Sequence, residues 1–145
     1  LLFYCDFTAY LNFGKSITGF DYQRWTWGPR PHDIDKVLKV LQEDGVLAVE
    51  HRQRYNYPQN RAYALKDANL QLFTAQEVDL IHHIVQQFKN MNAKDISETS
   101  HGFLGWQLAA DLETIPYSVA RVRPDVELSE KDYLYAKNLV KDLHS

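Results

Sequence analysis

The sequence has one cysteine, Cys5, so no internal disulfide can form, and a thiol in an apolar stretch reads as a small core residue of a protein from a reducing compartment. No apolar run approaches the roughly 18 to 20 residues that a membrane span needs. No signal peptide is visible, and the chain is expected to be cytoplasmic. It opens LLFYCDF, already apolar and without Met, so it is expected to be a fragment or to lack the first turns of its first helix. An excess of basic charge is also missing: the net charge is −3 and the pI about 6.1, which argues against a dedicated nucleic-acid binder. There is no GxSxG, no Walker loop, no HExxH and no CxxC, and the chain is therefore not expected to be an enzyme. Repeats, low-complexity tracts and long linkers are absent too, which leaves one domain over residues 1–145.

What is present is a good core composition, 45 % hydrophobic and 13 % aromatic. Residues 1–13 read as a helix with apolar side chains around much of its circumference and Asp6 as its only charge, stopped by Gly14. The stretch Ile17–Gly45 organises the rest. Phe20, Tyr22, Trp25 and Trp27 mark an extended arm, which Pro29 and Pro31 are expected to end. An amphipathic helix follows, with Ile34, Val37, Leu38 and Leu41 as its buried stripe and Gly45 after its end. Val46–Val49 and Arg61–Leu65 read as a hairpin with a long tip over residues 51–60. Thr74 with Glu77 forms a capping box for a helix whose stripe is Val78, Ile81, Val85 and Phe88, flanked by Leu80 and Ile84. Asn92 caps a short helix. One or two helical turns around Trp106 come next, and Pro116 either starts a helical turn or ends a strand. Ser129 with Asp132 caps a last helix bearing Tyr133, Ala136, Leu139, Val140 and Leu143. The fold class is α+β, predominantly α-helical: a compact helical domain with a small β-hairpin or sheet element.

Asp79, His82 and His83 share parts of one helix, but the two histidines point about 100° apart and no second cluster completes a metal site, so no metal and no cofactor are expected. Asp111 and Glu113 lack a positioned partner for acid–base chemistry, and Ser100–His101 read as helix-end packing rather than nucleophile and base. Arg52, Arg54 and Arg61 with Tyr55 and Tyr57 fit the wing of a winged-helix nucleic-acid binder that regulates its own operon, the alternative reading. The preceding helix opposes it, since Asp33–Asp44 carries four acids against two lysines. Arg and Tyr are common at protein interfaces, and a partner-binding surface of Trp25, Trp27, Arg30, Arg52, Arg54, Tyr55, Tyr57 and Arg61 is expected instead.

Five motifs stand in order: Tyr4–Asp6, the turn GKSITG at Gly14–Gly19, GPRP at Gly28–Pro31, Ser100–His101 with Trp106, and Ile115–Tyr117. Together they resemble the Panacea domain, the SocA-like antitoxin domain of bacterial and phage toxin–antitoxin systems. The resemblance implies a mostly helical domain that neutralises a cognate toxin by binding it, and, after one member, delivery of the toxin to an ATP-dependent protease. A separate helix-turn-helix domain, which autoregulation would use, is missing from the sequence. The resemblance names neither the toxin nor its contact residues.

Overall fold

The computed structural model describes residues 1–54 and 57–122, together with residues 131, 134, 137 and 138, which are helical. The architecture is α+β and mostly helical. In chain order it comprises α1 (Leu2–Phe13), β1 (Tyr22–Trp25), β2 (Gly28–Pro31), α2 (Ile34–Glu43), β3 (Leu47–Arg54), β4 (Tyr57–Ala64), α3 (Ala75–Phe88), α4 (Ala93–His101), α5 (Leu104–Leu108) and β5 (Thr114–Ile115). Two 3₁₀ turns cover Leu70–Leu72 and Tyr117–Arg121. Ser129 and the stripe expected of the last helix lie outside the described residues. The chain divides into two compact units, Leu1–His32 with Thr74–Ser145, and Asp33–Phe73.

In the first unit α1 is buried on two sides. Phe3 and Phe7, four residues apart, join Tyr22, Ala109 and Ile115 in one cluster, while Cys5 and Ala9 join Leu80, Ile84 and Phe88 in another. Each large apolar side chain so buried contributes about 1.5–3 kcal/mol. The aromatic rings meet mostly edge to face, as with Phe7 and Tyr22 at 5.6 Å and 80°, the arrangement their quadrupoles favour. Tyr4 packs against both clusters, its ring 4.4 Å from that of Phe88. Gly14 ends the helix in the left-handed region at φ 77°.

The sheet of this unit has the antiparallel order β2-β1-β5. The prolines do not end the extended arm as the sequence suggests. They sit in β2, which pairs Tyr22 with Pro31 and Arg24 with Pro29. β2 is an edge strand, and the His32 amide bonded to the Asp21 carbonyl at 2.9 Å fixes the alternation. Both prolines therefore occupy positions whose missing N–H would face away from β1, where a strand tolerates them. Pro116 does both things that the sequence left open, closing β5 and preceding the 3₁₀ turn.

The capping box of α3 is complete: the Glu77 amide donates to Thr74 Oγ1 at 3.2 Å, and the Thr74 amide donates to the Glu77 carboxylate at 2.8 Å. The buried stripe is Glu77, Leu80, Ile84 and Phe88, a rotation from the expected one, and Val85 is exposed. Both stripes obey helical periodicity, and the packing of Leu80 and Ile84 on Cys5 and Ala9 selects between them. The Thr74 amide, followed by the Thr74 hydroxyl and Lys15, holds the Glu77 carboxyl below its ordinary 4.5. A depressed carboxyl adds stability that is present above its unfolded value and lost as pH falls through the folded one. Thermal melts between pH 6 and 3 are accordingly expected to show a steeper acid loss in wild type than in Glu77→Gln, and parallel curves would rule this contribution out.

In the second unit α2 lies against β3, which pairs with β4 along eight positions from Leu47↔Ala64 to Arg54↔Tyr57. No residue of α2 is buried. Ile34, Leu38 and Leu41 are half-buried, and Val37 is exposed, because one helix facing a two-stranded hairpin has little surface to bury against. The strands also run through most of the stretch expected to be a long tip, leaving only residues 55–56 between them. Polar side chains satisfy one another there, His51 Nδ1 lying 2.6 Å from Asn60 Oδ1 across the ladder and Arg52 Nε donating at 2.6 Å to Glu50 on its own strand, so a polar sequence sustains a strand.

Candidate functional site

The site begins at Asp6, which is wholly buried in an otherwise apolar helix. Its carboxylate accepts the amides of Ile17 at 2.9 Å and Thr18 at 2.8 Å, the Thr18 hydroxyl, and the Tyr22 hydroxyl at 2.7 Å. A buried carboxylate is tolerated only with such a set of donors. It gathers the GKSITG turn and the first residue of β1 onto α1. Burial, and after it the Asp6 carboxylate, push the Tyr22 hydroxyl far above the usual tyrosine range, so it stays a donor. Beside it, Tyr117 donates to the Phe20 carbonyl at 2.6 Å, and burial pushes it up to about 12.

At the far end of β1 the chain reverses through Thr26 and Trp27. The carbonyls of three successive residues are each taken by a side chain from α4 or α5. Trp106 Nε1 donates to Trp25 at 2.9 Å, His101 Nε2 lies 3.1 Å from the Thr26 oxygen, and Ser97 Oγ donates to Trp27 at 2.8 Å. His101 is stacked on Trp106 at 4.0 Å and 15°. The Arg24 guanidinium sits over the same Trp106 ring at 4.6 Å while bonding the Ala109 carbonyl at 3.0 Å and Asp111 at 3.2 Å. Gly28 has φ 111°, and a Cβ there would collide with Ser100 Oγ, which is why this strand passes α4 only as glycine. The turn is thus fixed from behind. What it presents outward is Trp27, 80 % exposed, and Trp25, 38 % exposed with Arg30 over its ring at 4.7 Å.

The structure brings Trp25, Trp27 and Arg30 together on this hairpin. Arg52, Arg54, Tyr57 and Arg61 fall instead at alternating positions of the β3–β4 ladder, and Tyr55 lies outside the described residues. Ser100 and His101 hold the helix end and the turn, Ser100 Oγ donating to the Ser97 carbonyl at 2.6 Å. Asp111 pairs with Arg24, and Glu113 accepts the Ala110 amide at 2.6 Å, so both carboxylates tie down the loop before β5. Asp79, His82 and His83 are exposed, and among the described residues no group of three or more His, Cys, Asp or Glu is placed to hold a metal ion. Sequence reasoning missed the roles of Asp6, Arg24 and Ser97. A lone charge in an apolar helix was a signal for Asp6, whereas Arg24 and Ser97 carried none.

No described helix is long and apolar enough to cross a membrane. Neither the curated proteins nor the solved structures yield a match. The family model of the SocA-like antitoxin, Panacea domain, matches residues 1–107, a span that takes in Asp6, the GKSITG turn, the tryptophan hairpin and the Ser97, His101 and Trp106 clamp. The chain therefore belongs to the SocA-like antitoxin family of Panacea domains.

Proposed function

We propose that this protein is an antitoxin that neutralises a cognate protein toxin by binding it directly in the cytoplasm, through the tryptophan hairpin and the arginine–tyrosine hairpin of the second unit. The observation that carries the reading is the clamped turn. An exposed tryptophan on a backbone whose three carbonyls are already held loses little conformational freedom when a partner covers it, and rigid aromatic anchors dominate interface energetics. The domain over residues 1–145 acts as one antitoxin, and delivery of the bound toxin to an ATP-dependent protease is a second arm of the same proposal.

The test is co-expression of the tagged chain with the product of the neighbouring open reading frame, read by co-purification and by growth. A stable complex with restored growth is expected. Trp27→Ala is expected to leave the melting curve unchanged and weaken the complex roughly thirtyfold, in line with a hot spot of about 2 kcal/mol. Wild-type affinity in that variant would remove the hairpin tip from the interface. Full rescue by the triple variant Arg54→Ala, Tyr55→Ala, Tyr57→Ala would remove the second surface. Rescue without a complex would replace toxin binding with repression or degradation.

A further inference from the structure

We infer that the free edge of β4 takes up an extended, carboxylate-bearing segment of the toxin as an added strand, with the arginine face of the hairpin supplying the opposite charge; this rests on the antitoxin reading above. The register shows which groups are free. The Leu65 amide donates to the Val46 carbonyl at 2.8 Å, so the bonded pairs are 46/65, 48/63, 50/61, 52/59 and 54/57. The alternate residues of β4, Asn60, Ala62 and Ala64, turn their N–H and C=O groups outward, and none of the described backbone bonds uses those amides. Every described position of β4 is exposed except Tyr63, whereas β3 has α2 against it and its first four residues half-buried.

Natural sheets block or cover such edges. The three-stranded sheet of this protein does so, with prolines at both outward amide positions of β2 and only two residues in β5 before Pro116. β4 runs eight residues with a proline only at position 58, next to the turn. An open edge of that length is what strand addition requires.

The chemistry of the added strand follows from the same register. The bonded pairs share one face, which collects positions 52 and 61, both arginine, and Tyr63, against the single carboxylate of Glu50. Glu50 is held below its ordinary value, first by its hydrogen bond from Arg52, and so remains an ion. The uncompensated charge on this face is positive and suits carboxylates. A protein segment fits better than a nucleic acid for two reasons within the same unit. The stretch Asp33–Asp44 carries four acids against two lysines, which would repel phosphates, and the chain leaving β4 exposes Leu65, Leu70 and Leu72, which a phosphate backbone cannot use.

Amide hydrogen exchange on the full chain, alone and with the toxin from the neighbouring reading frame, reads this directly. The amides of Asn60, Ala62 and Ala64 are expected to slow at least tenfold in the complex. Ala62→Pro, which deletes an outward amide unused by the hairpin, is expected to weaken binding about tenfold with the melting curve retained, and Arg52→Gln with Arg61→Gln is expected to weaken it and flatten its salt dependence. A complex in which those three amides exchange as in the free chain overturns the inference and leaves the antitoxin reading standing, a result that needs no variant to fold. Absence of any complex overturns both. Binding of the full chain to a random-sequence DNA duplex, lost in the double arginine variant, would assign the face to nucleic acid and overturn the inference.

Discussion

Asp6→Ala is expected to be the most damaging single substitution in the described structure, lowering stability by about 4 kcal/mol or more, as measured by urea denaturation. The carboxylate, itself wholly buried, accepts from two backbone amides and two hydroxyls. Alanine would leave the buried Tyr22 hydroxyl without an acceptor and strip the part-buried Ile17 and Thr18 donors of theirs. Hydrogen bonds to a charged group are worth about 1.5–3 kcal/mol where buried and less where water can reach the donor. A domain of this size has only about 5–15 kcal/mol to lose. Asp6→Asn, which keeps the shape but turns an amide toward donors, is expected to fall between the two and gives a folded variant to measure. A loss below about 1 kcal/mol for the alanine variant would mean that the GKSITG turn and β1 hold themselves in place. The tyrosines add an alkaline test. Tyr22 and Tyr117 are raised in the folded state, so their contribution is present below the ordinary tyrosine value of 10.0 and is lost as pH rises beyond it toward the folded values. Stability should fall above about pH 10, and less steeply in Tyr22→Phe than in wild type.

Gly28→Ala is expected to cost about 3 kcal/mol and, with it, the toxin binding proposed above for the tryptophan hairpin. Two effects add. A φ of 111° strains any L side chain by about 1–3 kcal/mol, and the new methyl meets Ser100 Oγ, which is itself buried and bonded to Ser97. Relief of the collision by backbone movement pulls β2 from α4 and frees the three carbonyls that hold Trp27 in place. Ser100→Ala removes the colliding oxygen but leaves Ser100 Cβ at 3.3 Å from the added methyl, so Gly28→Ala in that background should recover about 1–2 kcal/mol of the loss while the φ strain remains. Strict additivity of the two substitutions would show that the close approach of Gly28 to Ser100 has no energetic consequence.

These two sites also show what a single sequence reveals. The ends of α1 and α3 were legible because Gly14 and the Thr74–Glu77 box act within one turn of the residues they cap. The stripe of α3 was not, since Val78–Val85 and Leu80–Ile84 fit the same period and only contact with Cys5 and Ala9 distinguishes them. Hairpin length was misjudged because a polar run reads as loop unless its cross-strand partners are known. The tryptophans were visible as exposed-looking aromatics. Their clamp was hidden, because Ser97, His101 and Trp106 lie 70 to 81 positions from the carbonyls they hold, with nothing in the local pattern to join them.

The division of the chain carries a further consequence. The first unit is interrupted after His32 and resumes at Thr74, so Asp33–Phe73 is an insertion into it rather than an appendage at one end. Both ends of that insertion are spliced to structure with its own internal fastening, the Asp21–His32 backbone bond on one side and the Thr74 capping box on the other. Neither fastening uses a residue from within the insertion. The segment is thereby expected to act as a cassette, one whose surface residues can be replaced without touching any donor of the buried Asp6 network on which the host unit depends.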